Sequence, residues 1–325
     1  MMQLLRVLAV LLLFSPAAAQ DKKKYKILYI SQSKGFKHGS VDRKDGKPLA
    51  PSEIAVTEIG KESGLFDVEC TQDASVLTAE KLKELDAVMF YTTGNLPITP
   101  ENFAAFEAWL QSGKAMIGTH SATDTFGGFK PYFSLINGTF DGHPWGSGET
   151  VTMANHEPSH VTAKMLGEEF QFKDEIYQYR NYDPKAVRVI YSLDMAKCKT
   201  KQPYHVPVSW VREAGKGRLF YTNLGHNDGT WTNPKFREHL LTGIRWALKL
   251  EEGPAEPNPE LQYVEQAKAF VQVAGGGAEA LLAKIKASKD VEKLAALYKK
   301  IDEHRRGKGD KNALKDEILA AIGKL

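Results

Sequence analysis

Three short, nearly continuous apolar runs constrain this chain most: residues 25–31 (YKILYIS), 86–92 (DAVMFYT) and 115–119 (AMIGT). Strands that are apolar on every residue bury both faces, the situation of a parallel sheet covered by helices on either side. The intervening segments carry helix signals. Ser52 is placed to cap a helix running to Gly64, and Thr99-Pro100-Glu101 sets a capping hydroxyl, a first-turn proline and an acid ahead of Phe103, Phe106, Trp109 and Leu110, with Gly113 as the stop. Strand and helix alternating in this way predict a doubly wound, mostly parallel α/β sheet. Residues 187–193, 206–212 and 218–223 add later strands, and 234–250 a closing amphipathic helix.

Both ends of the chain read differently from this middle. Arg6, the apolar run 7–14 and Ala17-Ala18-Ala19 have the form of a signal peptide over residues 1–19. The expectation is export to a periplasmic or extracellular space. The apolar run is shorter than the ~20 residues that span a bilayer, and no later stretch reaches that length. Three prolines and a glycine within 251–259 mark a linker after an α/β domain over 20–250. Beyond it, 260–325 read as short Ala/Leu/Lys/Glu-rich helices, a small solvated appendage with no catalytic constellation.

Composition then removes several function classes. With 43 Lys+Arg against 40 Asp+Glu, the net charge of +3 has no basic excess to bind nucleic acid. Two cysteines, without Cys-x-x-Cys spacing, exclude a thiolate zinc cluster and leave a Cys70–Cys198 bond open. Gly127-Gly128 and Gly146-Ser147-Gly148 match no phosphate-binding loop, so no nucleotide cofactor is expected.

Ligands of open α/β sheets bind beyond the carboxyl ends of the strands. His38, His120 and His226 all follow strand exits, and His143 lies on a loop in Phe140-Asp141-Gly142-His143-Pro144. Imidazole ligates first-row metals and exchanges protons near neutral pH. His38, His120 and His226 are therefore candidate ligands for a divalent metal, zinc or similar. His120, His143, Glu175 and His226 are candidate catalytic groups. Phe36, Asn95, Asp124, Tyr177 and Trp231 stand near the same loops as candidate substrate contacts, with Trp231, between turn residues, expected to be exposed. His239 and His304 are expected to be structural, and His156, His160 and His205 are left open.

Five ordered motifs carry a family resemblance: Gly35-Phe36-Lys37-His38, Gly118-Thr119-His120-Ser121-Ala122, Phe140-Asp141-Gly142-His143-Pro144, Asp174-Glu175-Ile176-Tyr177, and residues 217–226 ending in Gly225-His226. Over roughly 24–250 the chain resembles the ThuA-like (trehalose utilisation) family. The resemblance implies a flavodoxin-like fold related to class I glutamine amidotransferases. In those enzymes a cysteine occupies the elbow where His120 stands. Neither Cys70 nor Cys198 is at an elbow, so glutamine hydrolysis is not expected. The resemblance also implies a small-molecule carbohydrate partner, trehalose or a 3-keto-glycoside, processed by proton abstraction and elimination or by hydrolysis. A non-catalytic carbohydrate-binding or scaffolding protein is the alternative, and homo-oligomerisation is left open.

Overall fold

A computed structural model describes residues 24–325, so the leader expected at 1–19 lies outside the described residues. Eleven strands follow in chain order: β1 (Tyr25–Ile30), β2 (Phe66–Thr71), β3 (Ala87–Phe90), β4 (Ala115–Thr119), β5 (Thr139–Phe140), β6 (Thr150–Asn155), β7 (Glu169–Lys173), β8 (Tyr179–Arg180), β9 (Arg188–Leu193), β10 (Pro207–Ala214) and β11 (Gly217–Thr222). Nine of them form one sheet in the order β2-β1-β3-β4-β11-β10-β9-β6-β7, while β5 and β8 pair separately. From β2 to β11 every pairing is parallel, with Ile27 beside both Val68 and Ala87, and Ala115 beside both Ala87 and Arg218. The wing from β10 to β7 is attached antiparallel.

The apolar runs divide between two layers as the strand period of two requires. Ile27, Tyr29, Met89, Ile117 and Phe220 pack on Val56 and Ile59 of helix Pro51–Ser63 and on Leu240 and Ile244 of helix Pro234–Ala247. Leu28, Ile30, Val88, Phe90, Met116 and Leu219 pack on the other side against Phe103, Phe106 and Leu110 of helix Pro100–Gln111 and Tyr132 of helix Lys130–Ile136. Thr99 caps helix Pro100–Gln111 as expected, accepting from the Asn102 amide. The first helix starts two residues earlier than a Ser52 cap would place it. Pro51 opens it and the Glu53 carboxylate accepts from the Ala50 amide at 2.8 Å, while the Ser52 hydroxyl accepts from Tyr29.

β2 lies on one side of β1 and β3 on the other, so the order of strand addition reverses there, the switch point beyond whose carboxyl ends open sheets bind ligands. Thr93 stands at this point: its hydroxyl accepts from the Gly35 amide at 3.1 Å and donates to the Phe36 carbonyl at 2.9 Å, fixing the segment that leads to His38.

Four helices follow the irregular segment 251–258: Pro259–Val273, Glu279–Ala287, Val291–Arg305 and Lys311–Ile322. They do not stand off in solvent. Phe270, Ile285, Leu297, Ile301, Ile318 and Ile322 continue the sheet's own core. Asn258 exchanges side-chain hydrogen bonds with the Val189 amide and carbonyl, and Gln266 accepts from the His205 amide. Among the described residues no helix is long and apolar enough to cross a membrane, and Cys70 and Cys198 are free thiols.

Candidate metal centre

The sheet delivers four side chains to one point, three from its parallel half and one from the end of the antiparallel edge strand β7. His38 follows β1, His120 ends β4, Glu175 follows β7 and His226 follows β11, and one donor atom from each lies within 4.8 Å of all the others. The imidazoles of His38, His120 and His226 sit 4.9, 5.0 and 5.2 Å apart, almost mutually perpendicular at 88°, 86° and 83°. Glu175 Oε1 is 3.0 Å from His226 Nδ1 and 3.8 Å from His120 Nε2. Its other oxygen lies 3.4 Å from Nδ1 of the half-exposed His143. Glu175 therefore joins the cluster to His143.

His120 occupies a strand-to-helix elbow with φ +41°, a left-handed conformation unusual for a residue with a Cβ. Its Nδ1 faces the Asn223 carbonyl at 2.7 Å. A carbonyl only accepts, so Nδ1 carries the proton and Nε2 turns its lone pair into the cluster, 3.3 Å from His226 Nδ1. His226 is held by backbone geometry. Gly225 takes φ +133°, and a Cβ there would stand 3.2 Å from Trp231 and 3.5 Å from the His120 Cβ.

Residues outside the expected set organise the site. Buried Asp174 accepts from the amides of Gly225 at 2.7 Å and Asn227 at 3.0 Å and from the Thr230 hydroxyl at 2.9 Å, so it holds both flanks of His226. Asn223 pairs with the Tyr177 backbone through its amide at 3.1 and 2.9 Å. Tyr91 donates to the Gly225 carbonyl at 2.8 Å and shares a 2.7 Å hydrogen bond with Ser40. A polar residue at the end of a buried strand is the available signal for Asn223, as it is for the histidines, whereas Asp174 follows the half-exposed edge strand β7.

The substrate candidates separate. Phe36 is 64% exposed, and its ring lies 4.9 Å from that of His38. Asn95 is exposed on the loop after β3, and Asp124 is half-buried on the turn that begins at His120. Tyr177 is buried, with its hydroxyl 3.2 Å from His38 Nε2 and its ring 4.3 Å from His120, so it is a wall of the cluster. Trp231 is not exposed. Its indole donates to the Gly225 carbonyl at 2.8 Å and its ring stacks on Tyr91, because the short helix Asp228–Thr232 turns it inward. His239 is a core residue bonded to Tyr191 and the Thr162 carbonyl.

Burial, reinforced by the nearby His226 and His143, pushes His38 down to about 3. Burial also holds His120 well below the usual imidazole range, with His38 and His226 adding to it. His226 differs: burial opposes its charge, but the hydrogen bond and charge of Glu175 outweigh burial and raise it. Elsewhere burial lowers His160 and His239 to about 4 and also lowers His156 and His205.

These directions fix a pH dependence. The lowered histidines are neutral in both states above about pH 6.5; below it the unfolded chain gains protons that the folded one refuses. Stability is therefore lost as pH falls from about 6.5 toward the folded values. Asp124 and Asp174, raised to about 6 by burial, act in the opposite sense between about pH 4 and 6, as does His226, raised by Glu175, above about pH 6.5, but these three are fewer than the lowered histidines. Chelator-treated protein should unfold at a lower temperature at pH 5 than at pH 7.5; an equal or higher unfolding temperature at pH 5 would contradict the burial of these imidazoles.

Fold and site together define a flavodoxin-like α/β protein with a three-histidine, one-carboxylate cluster at the switch point of its sheet. The chain belongs to the ThuA family, described as trehalose utilisation, which it matches over residues 26–247. It is similar in fold to a ThuA-like protein of Bacteroides uniformis (TM-score 0.57, 21% identity, 75% of this chain and 98% of that one). A ThuA-like protein of Parabacteroides merdae is also similar (TM-score 0.54, 16% identity, 73% and 98%). No curated protein matches it.

Proposed function

We propose that this protein is an exported, metal-assisted enzyme of sugar catabolism that cleaves a 3-keto-glycoside, such as a trehalose derivative, by proton abstraction and elimination. The observation that carries this reading is the donor set. Three imidazoles and a carboxylate converge, His120 has a lone pair fixed toward them, and the buried Nδ1 of His38 has no hydrogen-bond partner among the described residues. Such nitrogen and oxygen donors suit a first-row divalent cation, which His38, His120, Glu175 and His226 would hold. When bound, the cation supplies a Lewis acid that draws charge onto a ketone oxygen. The proton on His226, held by Glu175, is one that binding would displace.

The remaining steps fall to the chain's own groups. Glu175 has one oxygen in the cluster, so His143, against its other oxygen and half-exposed toward solvent, is left to carry the proton. His143 takes the proton from C2 of the sugar, beside the C3 ketone; the electron pair forms the C1–C2 double bond and the C1–oxygen bond breaks. Protonated His143 returns its proton to the departing oxygen, so atoms and charge balance. Phe36 offers an exposed face for the sugar ring.

Purified mature protein should contain about one divalent cation per chain. It should consume 3-keto-trehalose but not trehalose, and lose this activity on chelation. Chelator-insensitive turnover, or equal hydrolysis of trehalose, would sink the proposal. Binding of intact trehalose with neither metal nor product would favour a carbohydrate-binding protein, the reading for which exposed Phe36 also speaks. Phe36→Ala should raise KM or Kd about 3- to 10-fold, the scale of one aromatic contact, without changing metal content. An unchanged KM would remove Phe36 from the sugar site.

A further inference from the structure

The C-terminal helices lie outside the family match, which ends at residue 247, yet one of their side chains reaches the turn that carries His143. Arg305, at the end of helix Val291–Arg305, donates to Asp141 Oδ2 at 3.0 Å and to the Tyr179 carbonyl at 2.8 Å. Its guanidinium lies 5.3 Å from the centre of the Tyr204 ring, and its side chain is only 11% exposed. Asp141 stands two residues before His143. Gln178 ties the same turn to the sheet: its side chain donates to the Asp141 carbonyl and its amide to the Gly142 carbonyl at 3.0 Å, and Tyr204 donates to its side-chain oxygen. Gly142 itself takes φ +100°. The other charges on Asp141 and its turn are few: Arg180 lies 3.9 Å from Asp141 Oδ1, and Asp302 lies 3.3 Å from Arg305 Nε.

We infer that the C-terminal helical unit positions His143 opposite Glu175, acting through Arg305 on Asp141. Arg305 touches neither the cluster nor the sugar side; it is a positioning residue. A largely buried guanidinium that donates to both the Asp141 carboxylate and the Tyr179 carbonyl fixes direction as well as distance, adding to the hold that Gln178 has on the turn. The cluster ligands come from other elements and do not depend on it. Loss of Arg305 should therefore loosen the His143 turn while leaving the four-residue donor set intact. The inference rests on the proposed role of His143 as proton carrier, but not on that role for its first readout.

Arg305→Ala, Arg305→Lys and Asp141→Asn in the full chain provide the test. Amide exchange over residues 140–143 should speed up about 10-fold or more in Arg305→Ala, with residues 115–119 of β4 unchanged and zinc still bound at the wild-type ratio. On 3-keto-trehalose, kcat should fall about 10-fold with KM within about twofold, and Arg305→Lys should recover part of the loss. Unchanged exchange at 140–143 overturns the inference, as does faster exchange with unaltered kcat. Should Arg305→Ala not fold, Asp141→Asn, which spares the Tyr179 and Tyr204 contacts, is read by the same criteria. A wild type without turnover defeats the proposed function, and the exchange result alone then decides whether Arg305 holds the turn.

Discussion

His120→Ala is expected to give a folded chain that no longer retains a divalent cation and that turns over 3-keto-trehalose at least about 10³-fold more slowly than wild type. The size of the effect follows from where His120 sits. It is the one ligand with its tautomer fixed by a backbone carbonyl, and it is fully buried between the rings of His38, His226 and Tyr177. Removing it leaves the remaining donors with a gap on one side and the Asn223 carbonyl without its partner. The elbow does not demand histidine for its backbone: alanine can adopt the same φ, though at a somewhat greater cost. Circular dichroism should therefore be unchanged while elemental analysis and rate both collapse. A folded His120→Ala protein that keeps its cation and its rate would end the metal reading.

Asp174→Ala should be the most damaging single change for stability, at about 3–5 kcal/mol. The carboxylate is buried and takes the Gly225 and Asn227 amides and the Thr230 hydroxyl, besides the Glu175 amide at 3.1 Å. All four donors lose their acceptor at once. Asp174→Asn keeps the shape and one acceptor, so it should fall between alanine and wild type. Denaturant midpoints at constant slope measure this directly. A loss under about 1 kcal/mol for Asp174→Ala would mean that the loop is held by Tyr91 and Trp231 instead.

The sequence makes the parallel half of the sheet plain because β1, β3 and β4 are apolar on both faces, and the helix begun by Thr99-Pro100 announces itself by its cap. β2 escapes notice: it is an edge strand, FDVECT, whose Asp67 and Glu69 face outward and break the apolar run. The antiparallel attachment of β10 and its neighbours is equally hidden, since the period of two is the same for either direction. At the site, the histidines are legible as strand exits, and the structure gathers His38, His120 and His226 with Glu175. Trp231 misleads because turn residues flank it; only the short helix that swings it under Tyr91 explains its burial. Asp174 and Asn223 look like ordinary polar residues beside conspicuous ones, and their roles emerge only when both ends of their hydrogen bonds are known.

Asn223 follows β11, and the Tyr221–Gly118 and Thr222–Thr119 pairings bring its carbonyl against His120. A slip of β11 by a single residue along β4 would turn its side chains to the opposite faces and replace that carbonyl with another group. His120 would then be free to take the other tautomer, with its proton pointing into the cluster. On the proposed metal reading, loading of a cation would thereby be tied to correct strand assembly: a misregistered chain would present a proton where it should present a lone pair. Metal content of a preparation would then report its folding fidelity as well as its capacity for chemistry.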